Sequence, residues 1–219
     1  ILQRALSGDR PLRGSDVTAS DLVEVVLAGG YPEAIARKTW TRRQDWARNY
    51  VDALIQRDVR DISDVTRLDQ MPRLLKALAE HSAQLTNFQG IGGQLGLNGV
   101  TTRAYTHIFE QLYLLKELPA WHSNALKRLI KTPKLHFLDA GLLSAIRRLM
   151  PSAFDRDRAH FGAVLESFVV SEILKIADWS DQRLTFSHYR DKDGAEVDLV
   201  VENEAGAIIG IEVKAAATV

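Results

Sequence analysis

Cysteine is absent from this chain of 219 residues, which excludes disulfides, thiolate metal sites and a cysteine nucleophile. No uncharged apolar run approaches the roughly 18 residues that span a bilayer, so no membrane partner is expected. The opening residues, Ile1-Leu2-Gln3-Arg4, have no signal-peptide plan and no initiator methionine, so the sequence reads as an interior piece of a longer cytoplasmic protein. The histidines lack metal-ligand spacing, which argues against zinc. The G-x-x-x-x-G-K-[ST] phosphate loop is also missing, so this stretch by itself should not hydrolyse ATP. Finally, there is no net charge, since 28 Lys and Arg balance 28 Asp and Glu.

What is present is an ordinary globular composition, 46% apolar and 26% charged, in a chain long enough to bury a core and form one or two domains. The charge is unevenly placed. Residues 121–160 carry eight Lys or Arg against three acids, and residues 161–219 carry five against eleven. A basic middle suits a nucleic-acid backbone and an acidic end suits a metal, although solvated faces would give the same counts.

Residues 15–65 read as helical. Ser20 or Asp21 caps a short helix through Leu27, and Gly29-Gly30-Tyr31-Pro32 breaks it. A longer helix from about Arg42 places Trp46, Tyr50, Leu54, Ile55, Val59 and Ile62 at three-to-four spacing. Its other face interleaves Arg42, Arg43, Arg48, Arg57 and Arg60 with Asp45, Asp52, Asp58 and Asp61, the pattern of a solvated helix.

Residues 71–118 read as three helices: one from Pro72 to about Ser82, a short one near Thr86–Leu95, and one from Thr101 through Leu115. A short helix, a glycine-containing turn and a longer helix make the helix-turn-helix plan. Beyond Pro119 and an aromatic segment (Ala120-Trp121-His122), residues 127–137 alternate basic and apolar side chains around Thr132-Pro133 and read as a β-hairpin in the position of a wing. The recognition helix offers Thr101, Thr102, Arg103, Thr106 and His107, a poor set for reading bases. Lys127, Arg128, Lys131 and Lys134 suit phosphate contacts better.

From Phe161 the pattern is helical again, with Glu166 and Glu172 interrupting an apolar run. Three strands follow: Leu184–Arg190, Ala195–Val201 and Ala207–Lys214, the first two joined by an Asp-Gly turn. Glu212 and Lys214 share one strand face by the two-residue period. The chemistry of these side chains assigns roles. Asp198 and Glu212 would ligate Mg²⁺ or Mn²⁺, hard cations that prefer carboxylate oxygen. Lys214 would orient or deprotonate the attacking water and stabilise phosphate charge. Glu166 would complete the metal ligands, with Glu196 supporting from the face of Asp198. His188 and Tyr189 read as strand residues rather than catalysts. A surface hairpin with an internal Glu–Lys pair would show the same spacing.

Several stretches together resemble a group of bacterial and archaeal AAA+-type ATP-binding proteins that carry the domain of unknown function 4143. They are Gly29–Pro32, Gln56–Ile62, Lys131–Leu142, Gly162–Glu166, Tyr189–Asp198 and Ile211–Lys214, in order over nearly the whole chain. The resemblance implies that this chain is the C-terminal portion of such a protein, with ATP bound only by a preceding ATPase domain. It also implies a winged helix in the middle and a PD-(D/E)xK restriction-endonuclease-like fold at the end. Asp198, Glu212 and Lys214 fall on the nuclease-like positions and Glu166 on the helix glutamate. The sequence stops five residues after Lys214, where such a core continues with a helix and another strand, so that unit is expected to be partial.

The resulting expectation is an α+β protein in three parts: a helical lid segment over 1–70, a winged helix over 71–150 and a partial nuclease-like α/β domain over 151–219. Its partners would be DNA, contacted mainly through phosphates, its own ATPase domain, and further copies if it assembles. Two functions follow, a metal-dependent phosphodiesterase or a non-catalytic DNA- or protein-binding module on a degenerate nuclease fold. A third and weaker one is a regulatory module that couples the ATPase to a signalling partner.

Overall fold

The computed structural model describes residues 2–7, 19–62, 67–123, 132–154 and 158–215. The architecture is α+β, with two small antiparallel sheets among helices. Helix α1 is Leu2–Leu6, α2 is Ala19–Ala28, and α3 is the single turn Pro32–Ile35. The expected break between α2 and α3 is real, because Gly29 takes a left-handed backbone at φ +70°, where a β-carbon is costly.

Helix α4, Trp40–Ile62, opens where Thr39 Oγ1 accepts the Arg42 amide at 3.3 Å, an N-cap. Its buried seam is Ala47, Val51, Ile55 and Val59, an i, i+4 row that keeps the expected Ile55 and Val59 but runs one step from Trp46, Tyr50 and Leu54. Trp46 and Tyr50 stack on each other beside it, 8° from parallel with centroids 5.1 Å apart. They remain half-buried.

A 3₁₀ turn, Leu68–Gln70, leads into α5, Met71–Glu80, with Pro72 in its first turn. Strand β1 is Gln84–Leu85. Helices α6, Phe88–Gly93, and α7, Gly99–Gln111, are each capped by an asparagine: Asn87 accepts from Gly90 N and Asn98 from Thr101 N. Strand β2 is Leu115–Leu118 and β3 is Lys134–Phe137.

Two expectations are corrected here. The helix from Thr101 does not continue through Leu115. It stops at Gln111, Tyr113 turns left-handed at φ 56°, and Leu115 begins β2. Leu115 and Leu118 are fully buried once paired opposite Phe137 and Lys134, and sheet pairing overrides the helical period. The second correction concerns Thr132-Pro133, which is not a hairpin turn between adjacent strands. Strand β3 pairs with β2 on one side and β1 on the other, giving the order β1-β3-β2. The basic residues Lys127, Arg128 and Lys131 lie outside the described residues.

Helix α8, Ala140–Ile146, follows β3, then the turn α9, Pro151–Phe154, and α10, Arg158–Asp178. Strands β4 (Leu184–Arg190), β5 (Glu196–Asn203) and β6 (Ile208–Ile211) form the second sheet in that order. Strand β6 ends before Glu212, so the same-face argument for Glu212 and Lys214 applies to chain just past the strand.

Helix α10 lies between the two halves. Phe161, Val164 and Leu165 join the large core built from α2, α4, α5, α7 and α8. Val170 joins a second core with Leu199 and Val201 of β5 and Leu118 of β2. A helix buried on opposite faces needs apolar residues nearly all round, which is why Glu166 stands out in it. The loop after β2 adds to the join. Ala120 bridges His188 in parallel, with Trp121 N donating to His188 O at 2.6 Å and His188 N to Pro119 O at 3.0 Å.

Candidate functional site

Strand β3 alternates, so Leu135 and Phe137 enter the core while Lys134 and His136 share the other face. That face is not solvated. Helix α10 covers it, and all four side chains are buried. A buried ammonium must be paired, and the partners come from the acidic end of the chain. Lys134 Nζ lies 2.6 Å from Glu166 Oε1, 2.9 Å from Asp198 Oδ1 and 3.3 Å from Glu196 Oε1. Glu166 comes from α10, and Asp198 and Glu196 from one face of β5.

His136 continues the network inward. Its Nδ1 is 3.3 Å from Ser167 Oγ, which is 2.9 Å from Ser82 Oγ, which in turn accepts the Phe137 amide at 3.4 Å. Its Nε2 has no hydrogen-bond partner and lies 3.8 Å from Glu166 Oε1. Burial, then the charge of Lys134, push His136 down to about 3, so it is neutral.

Burial also dominates Glu166, pushing its carboxyl up to about 7; Lys134 opposes this, while Asp198 and Glu196 add to it. For Lys134 burial works to lower the pKa, but the charges and hydrogen bonds of Glu166 and Asp198 outweigh it and hold the ammonium above its ordinary value. With three carboxylates around a single ammonium the lysine stays charged, while burial makes Glu166 hold its proton more readily than usual.

Asp198, Glu166, Glu212 and Lys214, the residues expected at the site, line one cleft of about 550 Å³ together with Glu196, Arg190 and Lys134. Within it they form two groups. Asp198 is held on both oxygens, Oδ1 by Lys134 and Oδ2 by the Val213 amide at 2.9 Å. Glu212 and Lys214, on either side of Val213, pair with each other and are more than half exposed. That pair raises the Lys214 ammonium.

Lys134 was expected to contact phosphate and is instead almost wholly buried, 3% exposed at its side chain. The physical reason is the cover of α10 and the three acids beyond it. Arg103 is exposed on α7, above the Phe88 ring at 5.7 Å. Two of its expected companions are turned inward. Thr102 and Thr106 are buried and donate to Asn98 O and Thr102 O, which leaves Val100, Arg103, Ala104 and His107 outward.

In this arrangement the carboxylates do not fit a divalent cation. Those of Glu166 and Asp198 are taken by an ammonium and an amide, and that of Glu212 by Lys214. Among the described residues no group of three or more His, Asp or Glu side chains is placed to hold a metal. Nor, among them, is any helix long and apolar enough to cross a membrane.

A second cluster accounts for two of the quoted sequence stretches. Asp139 caps α8, its Oδ1 accepting the Leu142 amide at 2.7 Å, while Oδ2 accepts the Gly30 amide at 2.6 Å. At Gly141 a β-carbon would stand 2.4 Å from Ala28 O, so glycine lets the start of α8 touch the end of α2. This is a structural joint. Burial raises the Asp139 carboxyl, and its oxygens are satisfied by backbone.

Residues 161–219 match the family described as Domain of unknown function (DUF4143). An uncharacterized protein of Mycobacterium bovis and one of Mycobacterium tuberculosis are each 24% identical over 203 residues, 93% of this chain. The chain spans 45% of the length of these relatives. No solved structure matches it. Residues 19–153, more than half the chain, match the family described as Domain of unknown function (DUF8612), and the chain belongs to that family.

Proposed function

We propose that this chain is the C-terminal part of an AAA-type ATP-binding protein and serves it as a DNA-binding module on a nuclease-like fold that does not cleave. The observation that carries this reading is the Lys134 ammonium, seated between Glu166 and Asp198 where a hydrolase would need its cation. The ATPase connection is supported by the match over residues 161–219, to a domain usually found with AAA-type ATPases. The order α5, β1, α6, α7, β2, β3 with sheet order β1-β3-β2 supports a winged helix with α7 as its recognition helix. A helix followed by three antiparallel strands, with Asp198 on the middle one, supports a PD-(D/E)xK-like end. Arg103 on α7, and the basic stretch Lys127, Arg128 and Lys131, supply the phosphate-contacting charge.

A second reading, metal-dependent phosphodiester hydrolysis using Mg²⁺ or Mn²⁺, is favoured by one observation: Glu166, Asp198, Glu212 and Lys214 line the same cleft. It requires Lys134 to leave. The test is to incubate the full-length protein with plasmid and linear DNA, with Mg²⁺ or Mn²⁺ and with ATP, beside its Asp198→Ala and Lys214→Ala variants. Salt-sensitive binding with no cleavage above either variant is expected. Cleavage that both substitutions abolish would replace the first reading with the second.

A further inference from the structure

Helices α4, α5 and α8 meet around a cavity of about 150 Å³. It lies within the residues matched to DUF8612 and shares no lining residue with the cleft at Lys134. Its floor is apolar, with Val51 and Leu75 buried and Ala145 and Ile146 half-buried. Its rim is charged and exposed: Arg48 and Asp52 lie one turn apart on α4, Lys76 on α5 and Arg148 just past α8. Arg48 is engaged by Asp45 at 2.7 Å. Among the described residues Lys76, Arg148 and Asp52 form no ion pair, so two uncommitted cations stand with one uncommitted acid.

Arg148 is the most informative of these. Leu149 N donates to Ser144 O at 2.9 Å and Arg148 N to Ala145 O at 3.1 Å, the Schellman ending of a helix, and Arg148 occupies its left-handed position at φ 56°. That position favours glycine, and a side chain there costs backbone energy. Gln44 fixes the turn from α4, its Nε2 donating to Leu149 O at 3.1 Å. The preceding Arg147 is held by Glu80 at 3.2 Å, which leaves Arg148 as the guanidinium available at the cavity.

We propose that this cavity binds a small monocarboxylate with a compact apolar body, the body entering between Val51, Leu75 and Ile146 and the carboxylate taken by Arg148 and Lys76. An apolar cavity of this size accepts a group about as large as benzene. A guanidinium matches a planar carboxylate through two parallel hydrogen bonds. Two cations and one acid leave a single positive charge, which selects a monoanion over a dianion or a cation. Enclosure by three helices favours a small molecule over a peptide, which would need an extended groove. The site uses neither the Lys134 cluster nor the residues assigned to DNA, so it stands or falls apart from both.

The experiment is saturation-transfer NMR on the full-length protein without nucleotide, with phenylacetate, phenylacetamide and acetate as probes. Phenylacetate should bind at least about tenfold tighter than the neutral amide, which lacks the charge, and than acetate, which lacks the body. Arg148→Gly should weaken phenylacetate to about the level of the amide while leaving the thermal midpoint unchanged or higher, since glycine relieves the left-handed turn. Lys76→Gln, at an exposed helix position, should weaken it about threefold or more, and decides alone if Arg148→Gly does not fold. Phenylacetate that binds no tighter than either control, or equally to wild type and to the folded variants, overturns the proposal. Binding of an acidic phenylalanine-containing peptide without any binding of phenylacetate also overturns it, and makes the cavity a protein contact.

Discussion

Lys134 Nζ and Glu166 Oε1 lie 2.6 Å apart, and that pair joins a strand of the first sheet to the helix that carries the second. Each side chain is out of place by local rules. A lysine sits on a strand face that is fully covered, and a glutamate interrupts a helix that is apolar on opposite sides. Together each offsets part of the other's cost of burial.

Removing one partner of such a pair leaves an uncompensated buried charge, which costs about 3–5 kcal/mol. Lys134→Met should therefore lower folding stability by about 3 kcal/mol, the smaller end, because Glu166 can take up a proton once the lysine is gone. Urea denaturation of wild type and variant measures this. The double variant Lys134→Met, Glu166→Gln should recover much of the loss.

The Glu166 carboxyl is raised to about 7, chiefly by burial, from an ordinary 4.5. Between those values the folded protein holds a proton that the unfolded chain has released, so this group makes stability fall as pH rises through about 4.5 to 7. His136, lowered to about 3 from 6.5, acts oppositely in the overlapping window. There the unfolded chain binds the extra proton, and stability rises with pH. The Glu166 contribution is isolated by difference. Wild type relative to Glu166→Gln should lose on the order of 2 kcal/mol between about pH 5 and pH 8, read from denaturation midpoints across that range. A difference that grows with pH would contradict the assignment.

At the joint of α2 and α8, Asp139→Ala removes a helix cap and the Gly30 bond in one step. A loss of about 2 kcal/mol is expected, the upper part of the range for caps. Gly141→Ala forces a methyl against Ala28 O and should cost about 1–3 kcal/mol by overpacking. Thermal unfolding followed by circular dichroism checks both, and Arg103→Ala, an exposed control, should leave the midpoint nearly unchanged.

If α7 and the basic stretch beyond β2 face DNA, charge reversal at Lys127, Arg128 and Lys131 should weaken binding about equally for unrelated sequences. It should also flatten the dependence of affinity on salt, by roughly one unit of slope for each phosphate no longer neutralised. Fluorescence anisotropy at several salt concentrations measures both. Unchanged affinity and slope would move the interface elsewhere.

The chain by itself determined its elements. The glycine-proline break after α2, the Asp-Gly turn before β5 and the β-branched runs of β5 and β6 act within a few residues of where they stand, so their spacing carries the answer. Where a local period competed with distant pairing, as at Leu115 and around Thr132-Pro133, the sheet prevailed and the sequence misled. The site was legible in its acids, because Glu166, Asp198 and Glu196 could be placed on a helix face and a strand face. Their cation was not. Lys214 has the expected spacing and pairs with its neighbour Glu212 in solvent, while Lys134, which reads as a surface lysine in a basic stretch, supplies the buried charge. Only the tertiary structure decided this, because the partner of a long charged side chain depends on what covers it. The cover comes from α10, which is remote in sequence from β3 and leaves no period in the residues around Lys134.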